Sequence, residues 1–125
     1  MNVRELISLI EGELIINGTD LDREIKGGCG ADLMSDVLAS IQPEAVLLTG
    51  LCNPQVVRTA QMADVTAIIF VRGKIPPQQT IDLATKERIA LITSRFGMFE
   101  LCGRLFQAGL PSLELSVSDG SNNFE

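Results

Sequence analysis

The sequence predicts an α/β domain: three layers, with a mainly parallel sheet of βα units flanked by helices and a short N-terminal hairpin region. Three observations predict it. Apolar, β-branched runs stand at Ala45–Leu48, Val65–Val71 and Ile89–Ile92. Each run is followed by a polar loop and then a helical pattern, and the run ends lie about 21–23 residues apart, as βαβ units require. The runs are apolar throughout rather than alternating, as strands are when both faces of a sheet are covered.

The elements follow in order. Val3, Leu6, Ile7 and Ile10 recur at helical spacing and Gly12 stops the pattern, which predicts a helix over 2–11. Glu13–Ile16 reads as a short strand and Asn17-Gly18 as its hairpin turn. Residues 23–30 run extended into Gly27, Gly28 and Gly30, glycines that suit a tight turn or bulge. A helix is expected to begin at Asp32, with Leu33, Val37, Leu38 and Ile41 inward and Pro43 as its end. Asn53-Pro54 opens the helix after the first run, Asn as cap and Pro at the first helical position. Pro76-Pro77 precedes a helix carrying Ile81, Leu83 and Ala84, and a last helix over 97–109 carries Met98, Leu101, Cys102 and Leu105. One domain is expected over 1–110. A flexible polar tail follows over 111–125, in which Leu113, Leu115 and Val117 alternate, with disorder expected from about 118.

Composition excludes several functions. The chain has 125 residues and no His, Trp or Tyr. Without His there is no Ser-His or Cys-His pair and no imidazole base or metal ligand. Ten Lys and Arg face 16 Asp and Glu, a net charge of −6, and no basic run occurs, so nucleic acid and anionic membrane surfaces are not expected partners. Half of that excess lies in the last fifteen residues, which hold Glu114, Asp119 and Glu125 and no base. Cys29, Cys52 and Cys102 are scattered and suit reduced thiols in the cytoplasm. Cys102 is expected in the core, and Cys29 and Cys52 in exposed loops. Neither a cofactor nor a metal is expected, and the apolar runs are too short to span a membrane.

Chemistry is expected beyond the carboxyl ends of the strands, where open parallel sheets bind ligands. Those ends read Thr49-Gly50-Leu51-Cys52-Asn53, Arg72-Gly73-Lys74 and Thr93-Ser94-Arg95. Gly50 and Gly73 would let backbone N–H groups approach an anion, and Arg72, Lys74 and Arg95 would supply charge. Phosphate motifs fail: a Walker A loop would need Gly at Ile68 and Ser or Thr at Ile75, and a dinucleotide fingerprint from Gly28 would need Gly at Leu33. Asp32 and Asp36 at i, i+4 are expected to complement a helix dipole rather than hold Mg²⁺, and Asp22-Arg23 to form a local pair or turn contact.

Asp22-Arg23, Gly27-Gly28, the run Asp32-Leu33-Met34-Ser35-Asp36-Val37-Leu38-Ala39, Leu48-Thr49-Gly50, Asn53-Pro54-Gln55 and Phe70-Val71-Arg72-Gly73-Lys74 together resemble the DRTGG-domain family, closest to its short stand-alone bacterial members. The resemblance covers residues 1–110, although the string that names the family is not contiguous here. It implies a domain similar to the N-terminal domain of HPr kinase/phosphorylase and to accessory domains beside CBS domains in regulated pyrophosphatases. It implies a regulatory or dimer-forming role and supplies no catalytic residue. The function expected is therefore a non-catalytic, ligand-sensing homodimer that binds a small anion such as a nucleotide. The alternative is a protein-interaction adaptor in a redox (hydrogenase-type) or metabolic enzyme system.

Overall fold

The computed structural model describes residues 1–117. Five helices and five strands follow the chain as α1 Val3–Leu9, β1 Glu13–Leu14, β2 Gly27–Gly30, α2 Met34–Ser40, β3 Ala45–Thr49, α3 Pro54–Met62, β4 Ala67–Phe70, α4 Gln78–Glu87, β5 Ala90–Thr93 and α5 Met98–Gln107. One sheet holds all five strands in the order β1-β5-β4-β3-β2. β2 to β5 are mutually parallel, and β1 joins β5 antiparallel at the far edge.

The pleat divides the core in two. Val46, Leu48, Ala67, Ile69, Ala90 and Ile92 face Val3 and Leu6 of α1 and Leu101 and Leu105 of α5. Their chain neighbours Ala45, Leu47, Ile68, Phe70 and Leu91 face Val37, Val56, Val57, Ala60 and Ala84 of α2, α3 and α4. This gives the three layers that the apolar strand runs implied. Asn2 and Glu5 close a reciprocal capping box on α1, each backbone-to-side-chain bond 2.9 Å long, which satisfies two N–H groups the helix leaves open.

The N-terminal region departs from expectation. Glu13–Leu14 does not form a hairpin with the glycine segment: Glu13 pairs with Thr93 and Leu14 with Ile92, across the sheet from β2. The glycines are neither turn nor bulge but strand β2, in parallel register with β3 from Gly27 opposite Ala45 to Gly30 opposite Leu48. They allow close packing above and below the strand. A Cβ added at Gly30 would lie 3.1 Å from Met98 Sδ and 3.3 Å from Cys102 Sγ. Asp32 does not begin α2, because the helix starts at Met34 after the extended Leu33. Asp32 and Asp36 therefore share no helical face.

The chain does not leave the domain at residue 110. The Gly28 N–H donates to Pro111 O (2.9 Å), and the Leu113 N–H donates to Gly28 O (2.9 Å). The Gln42 N–H then donates to Leu113 O and the Leu115 N–H to Ser40 O (each 2.8 Å). Residues 111–115 are thus a strap over the outer edge of β2 and the end of α2, which accounts for the alternation of Leu113 and Leu115. The expected disorder from residue 118 lies outside the described residues.

Candidate functional site

The parallel register brings the carboxyl ends of β2, β3, β4 and β5 into one row, and residues 31–32, 49–53, 71–74 and 93–96 emerge together there. Most polar groups expected to line a pocket are already spent within the chain. Buried Thr49 donates its hydroxyl to Asp32 Oδ1 (2.9 Å), and the Gly50 N–H donates to the same oxygen (2.7 Å). The Gly73 N–H donates to Ser94 O (2.7 Å). The two N–H groups expected to meet an anion are thus engaged by the protein itself. Thr93 Oγ1 donates to Lys74 O and Ser94 Oγ to Ile10 O (each 2.8 Å), both from buried positions. Arg95 turns away to pair with Glu11 at 2.8 Å and sits 4.4 Å over the Phe96 ring, with Arg104 also on that ring at 3.9 Å. Arg95 holds the Glu11 carboxyl below its ordinary value. This pair helps the fold above that ordinary value, and its contribution is lost as the pH falls through the depressed one.

What remains at the strand ends is a short cationic turn. The Lys74 N–H donates to Val71 O (3.3 Å), closing a four-residue turn whose central residues both have positive φ, Arg72 at 59° and Gly73 at 69°. That pattern belongs to a type I′ turn, which explains Gly73. The Arg72 N–H anchors it to Phe96 O (2.8 Å). Both cationic side chains are exposed, and among the described residues neither forms an ion pair. Lys74 Nζ donates to Gly50 O (3.4 Å) and lies 3.0 Å from where a Gly50 Cβ would stand, with the Asp32 oxygens 3.6 and 3.7 Å from that same point. Asn53 takes the N-cap position of α3, but its exposed side chain makes no capping bond. Asp32 is the member of this site that sequence reasoning placed elsewhere. Recognising β2 as a strand would have found it, because Gly30 opposite Leu48 carries Asp32 to Thr49 and Gly50.

The other motif residues lie apart from the cationic turn. Asp22 and Arg23 make turn contacts rather than a pair: their N–H groups donate to Asp20 Oδ1 (3.0 Å) and Asp20 O (3.3 Å), while Asp22 meets Arg4 at 3.2 Å and Arg23 Nη1 donates to Arg88 O at the end of α4 (2.6 Å). Gly27 and Gly28 lie beneath the strap, and Ser35 and Asp36 are exposed in the first turn of α2. A cavity of about 710 Å³ opens at the opposite end of the sheet, between the Asn17–Asp20 loop and the end of α4. Its lining holds Arg23 and Arg88 together with Asp20 and Glu87, two charges of each sign. Among the described residues no helix is long and apolar enough to cross a membrane, and no group of three or more Cys, Asp or Glu forms a metal-binding cluster.

The cysteine expectation is reversed. Cys29 is buried and donates to Glu114 Oε2 (3.3 Å), whereas Cys102 is exposed on α5 and Cys52 is half-buried. Burial, then the bond to Glu114, pushes the Cys29 thiol up to about 12 from 9.0, and burial also raises Cys52 and Cys102. Cys29 is therefore expected to resist maleimide at pH 8 until the protein unfolds, a protection mass spectrometry reads directly. A raised thiol pKa stabilises the fold fully below the unfolded value of 9.0. That contribution is lost as the pH climbs from there toward about 12.

The fold defines a class: a three-layer α/β domain around a five-stranded, mainly parallel sheet. No protein-family model matches the chain, and no curated protein matches it. Among solved structures, the chain is similar to the CBS and DRTGG domains of the regulatory region of a Clostridium perfringens pyrophosphatase, a structure complexed with its activator diadenosine tetraphosphate. The likeness has a TM-score of 0.65 at 15% identity and covers 95% of this chain. The chain spans about half of that one, 51% of its length. At this identity the likeness establishes the fold.

Proposed function

We propose that the chain is a cytoplasmic regulatory domain of the DRTGG-domain family, non-catalytic and homodimeric, that senses a small anion such as a nucleotide over the Arg72-Gly73-Lys74 turn. The observation that carries the reading is Arg72 itself. Its side chain is exposed at the tip of the strand-end turn and forms no ion pair among the described residues. Beside it, Lys74 is likewise free of ion pairs among the described residues, while Thr49, Thr93 and Ser94 serve to hold the turn and its neighbours in place. Hydroxyls committed in this way support a binding role over a nucleophilic one. The similar fold in a regulatory region that is complexed with a nucleotide activator supports sensing as that role.

A thermal-shift screen of nucleoside mono-, di- and triphosphates and sugar phosphates tests the reading. At least one is expected to raise Tm in the wild-type protein, and that rise is expected to vanish in Arg72→Ala/Lys74→Ala. A protein stabilised by none of them, or stabilised equally in the double variant, would reject the site.

A further inference from the structure

Helix α5 presents two opposite faces. Leu101 and Leu105 are buried, yet Phe99 is 94% and Phe106 71% exposed. These are two of only five aromatic residues in the chain. Phe99, Cys102 and Phe106 follow three and four residues apart and form one stripe along the helix. Gly103 stands beside it with open space where a Cβ would be. Between α5 and the strap lies a groove of about 190 Å³ lined by Cys102, Phe106, Leu110 and Glu114, with Gly28 to Gly30 as its floor. It is smaller than the roughly 300–1,000 Å³ of small-molecule pockets and suits a side chain. Gly28 has no positive φ, and a Cβ there would find only ordinary contacts of 3.5 and 3.6 Å, so folding alone does not demand its glycine.

We infer that this face receives a second copy of the chain, α5 against α5 in antiparallel sense about a two-fold axis passing between Cys102 and Gly103. The inference rests on the homodimer reading above and says which residues make it. The stripe is self-complementary about that point, as a two-fold interface must be. Phe99 of each copy meets Phe106 of the other, and the small residues meet in the middle, where helices can approach closely. Charge agrees. The chain carries −6, so two copies repel over most of their surfaces, but the stripe is uncharged, its flanking Glu100 is tied to Arg104 at 3.0 Å, and the one acid of the groove wall, Glu114, accepts from Cys29 Sγ at 3.3 Å. Area agrees too. A Phe side chain buries about 150–250 Å², so the pair supplies roughly half of the ~800 Å² each partner needs, and the groove walls extend it.

Sedimentation equilibrium on the full chain tests the face, together with a short bis-maleimide applied to the wild-type protein. The wild type is expected to be a dimer, cross-linked through Cys102. Phe99→Glu and Phe106→Glu are each expected to weaken it roughly 30-fold or more, as buried aromatic anchors do, with unchanged circular dichroism. A dimer that survives both substitutions, or one that Cys102 does not cross-link, overturns this face and leaves the homodimer reading standing. A wild-type monomer at micromolar concentration overturns both, and retention of a different protein by a monomeric chain would assign the face to a hetero-partner instead. The cross-link needs no variant, so a Phe variant that fails to fold does not rescue the inference.

Discussion

Phe70→Ala is expected to lower the free energy of unfolding by about 3–5 kcal/mol, the range seen for large-to-small changes at buried aromatic sites. Phe70 is the last residue of β4 and is 0% exposed. It belongs to the core between the sheet and α2, α3 and α4, with Val56, Val57, Ala60 and Ala84. Those neighbours are short, β-branched or Ala side chains on helices already docked to the sheet, so they cannot collapse into the space a ring leaves. Its carbonyl also accepts the Ser94 N–H (3.1 Å), and Val71 and Arg72 follow it directly. A loosened Phe70 would therefore weaken the cationic turn as well as the core. A domain stable by about 5–15 kcal/mol loses a large share of that margin. Urea unfolding reads the loss as a fall in midpoint at constant m value, and a fall worth less than about 1 kcal/mol would contradict the packing described.

Gly27→Ala and Gly28→Ala, one residue apart, are expected to differ sharply. A Cβ at Gly27 would lie 2.5 Å from Leu113 Cγ and 2.6 Å from Pro111 O, so the strap itself would have to move. Overpacking of this kind costs about 1–3 kcal/mol, and here it would also break the bonds of Gly28 to Pro111 and Leu113. Gly28 would meet only the ends of Leu110 and Val46 at ordinary distances, and Ala there is expected to change stability by less than about 1 kcal/mol. Hydrogen exchange at Leu113 and Leu115 separates the two: fast in Gly27→Ala, protected in Gly28→Ala. Equal protection in both would mean that residues 111–115 are not seated on β2.

The βα units were legible because Ala45–Leu48, Val65–Val71 and Ile89–Ile92 carry their own hydrophobic signal and their ends carry turn residues. β2 carried none. Gly-Gly-Cys-Gly has neither period nor propensity, and only the neighbouring strand and the strap show why small residues stand there. Missing β2 displaced Asp32 from the site and turned a two-residue edge strand into a supposed hairpin. Strand β1 is too short for its pattern to specify a partner, and it joins β5 through pairs about 80 residues away in the chain. The reversed cysteines follow from helix geometry. One step beyond buried Leu101 rotates Cys102 by about 100°, out of the core and onto the face that carries Phe99 and Phe106. Arg72 and Lys74 were legible because a strand-end Arg-Gly-Lys places charge at a turn. Arg95 was not, because its partner Glu11 lies far away in sequence.

The central claim is that a small anion binds over the Arg72-Gly73-Lys74 turn. Backbone amide spectra of isotopically labelled protein titrated with ATP test it most directly. The expected result is a saturable set of shifts centred on Gly50, Arg72, Gly73 and Lys74, absent in Arg72→Ala/Lys74→Ala. Shifts centred instead on Asn17, Gly18, Arg23 and Arg88, at the opposite end of the sheet, or no shifts with any nucleotide, would contradict it.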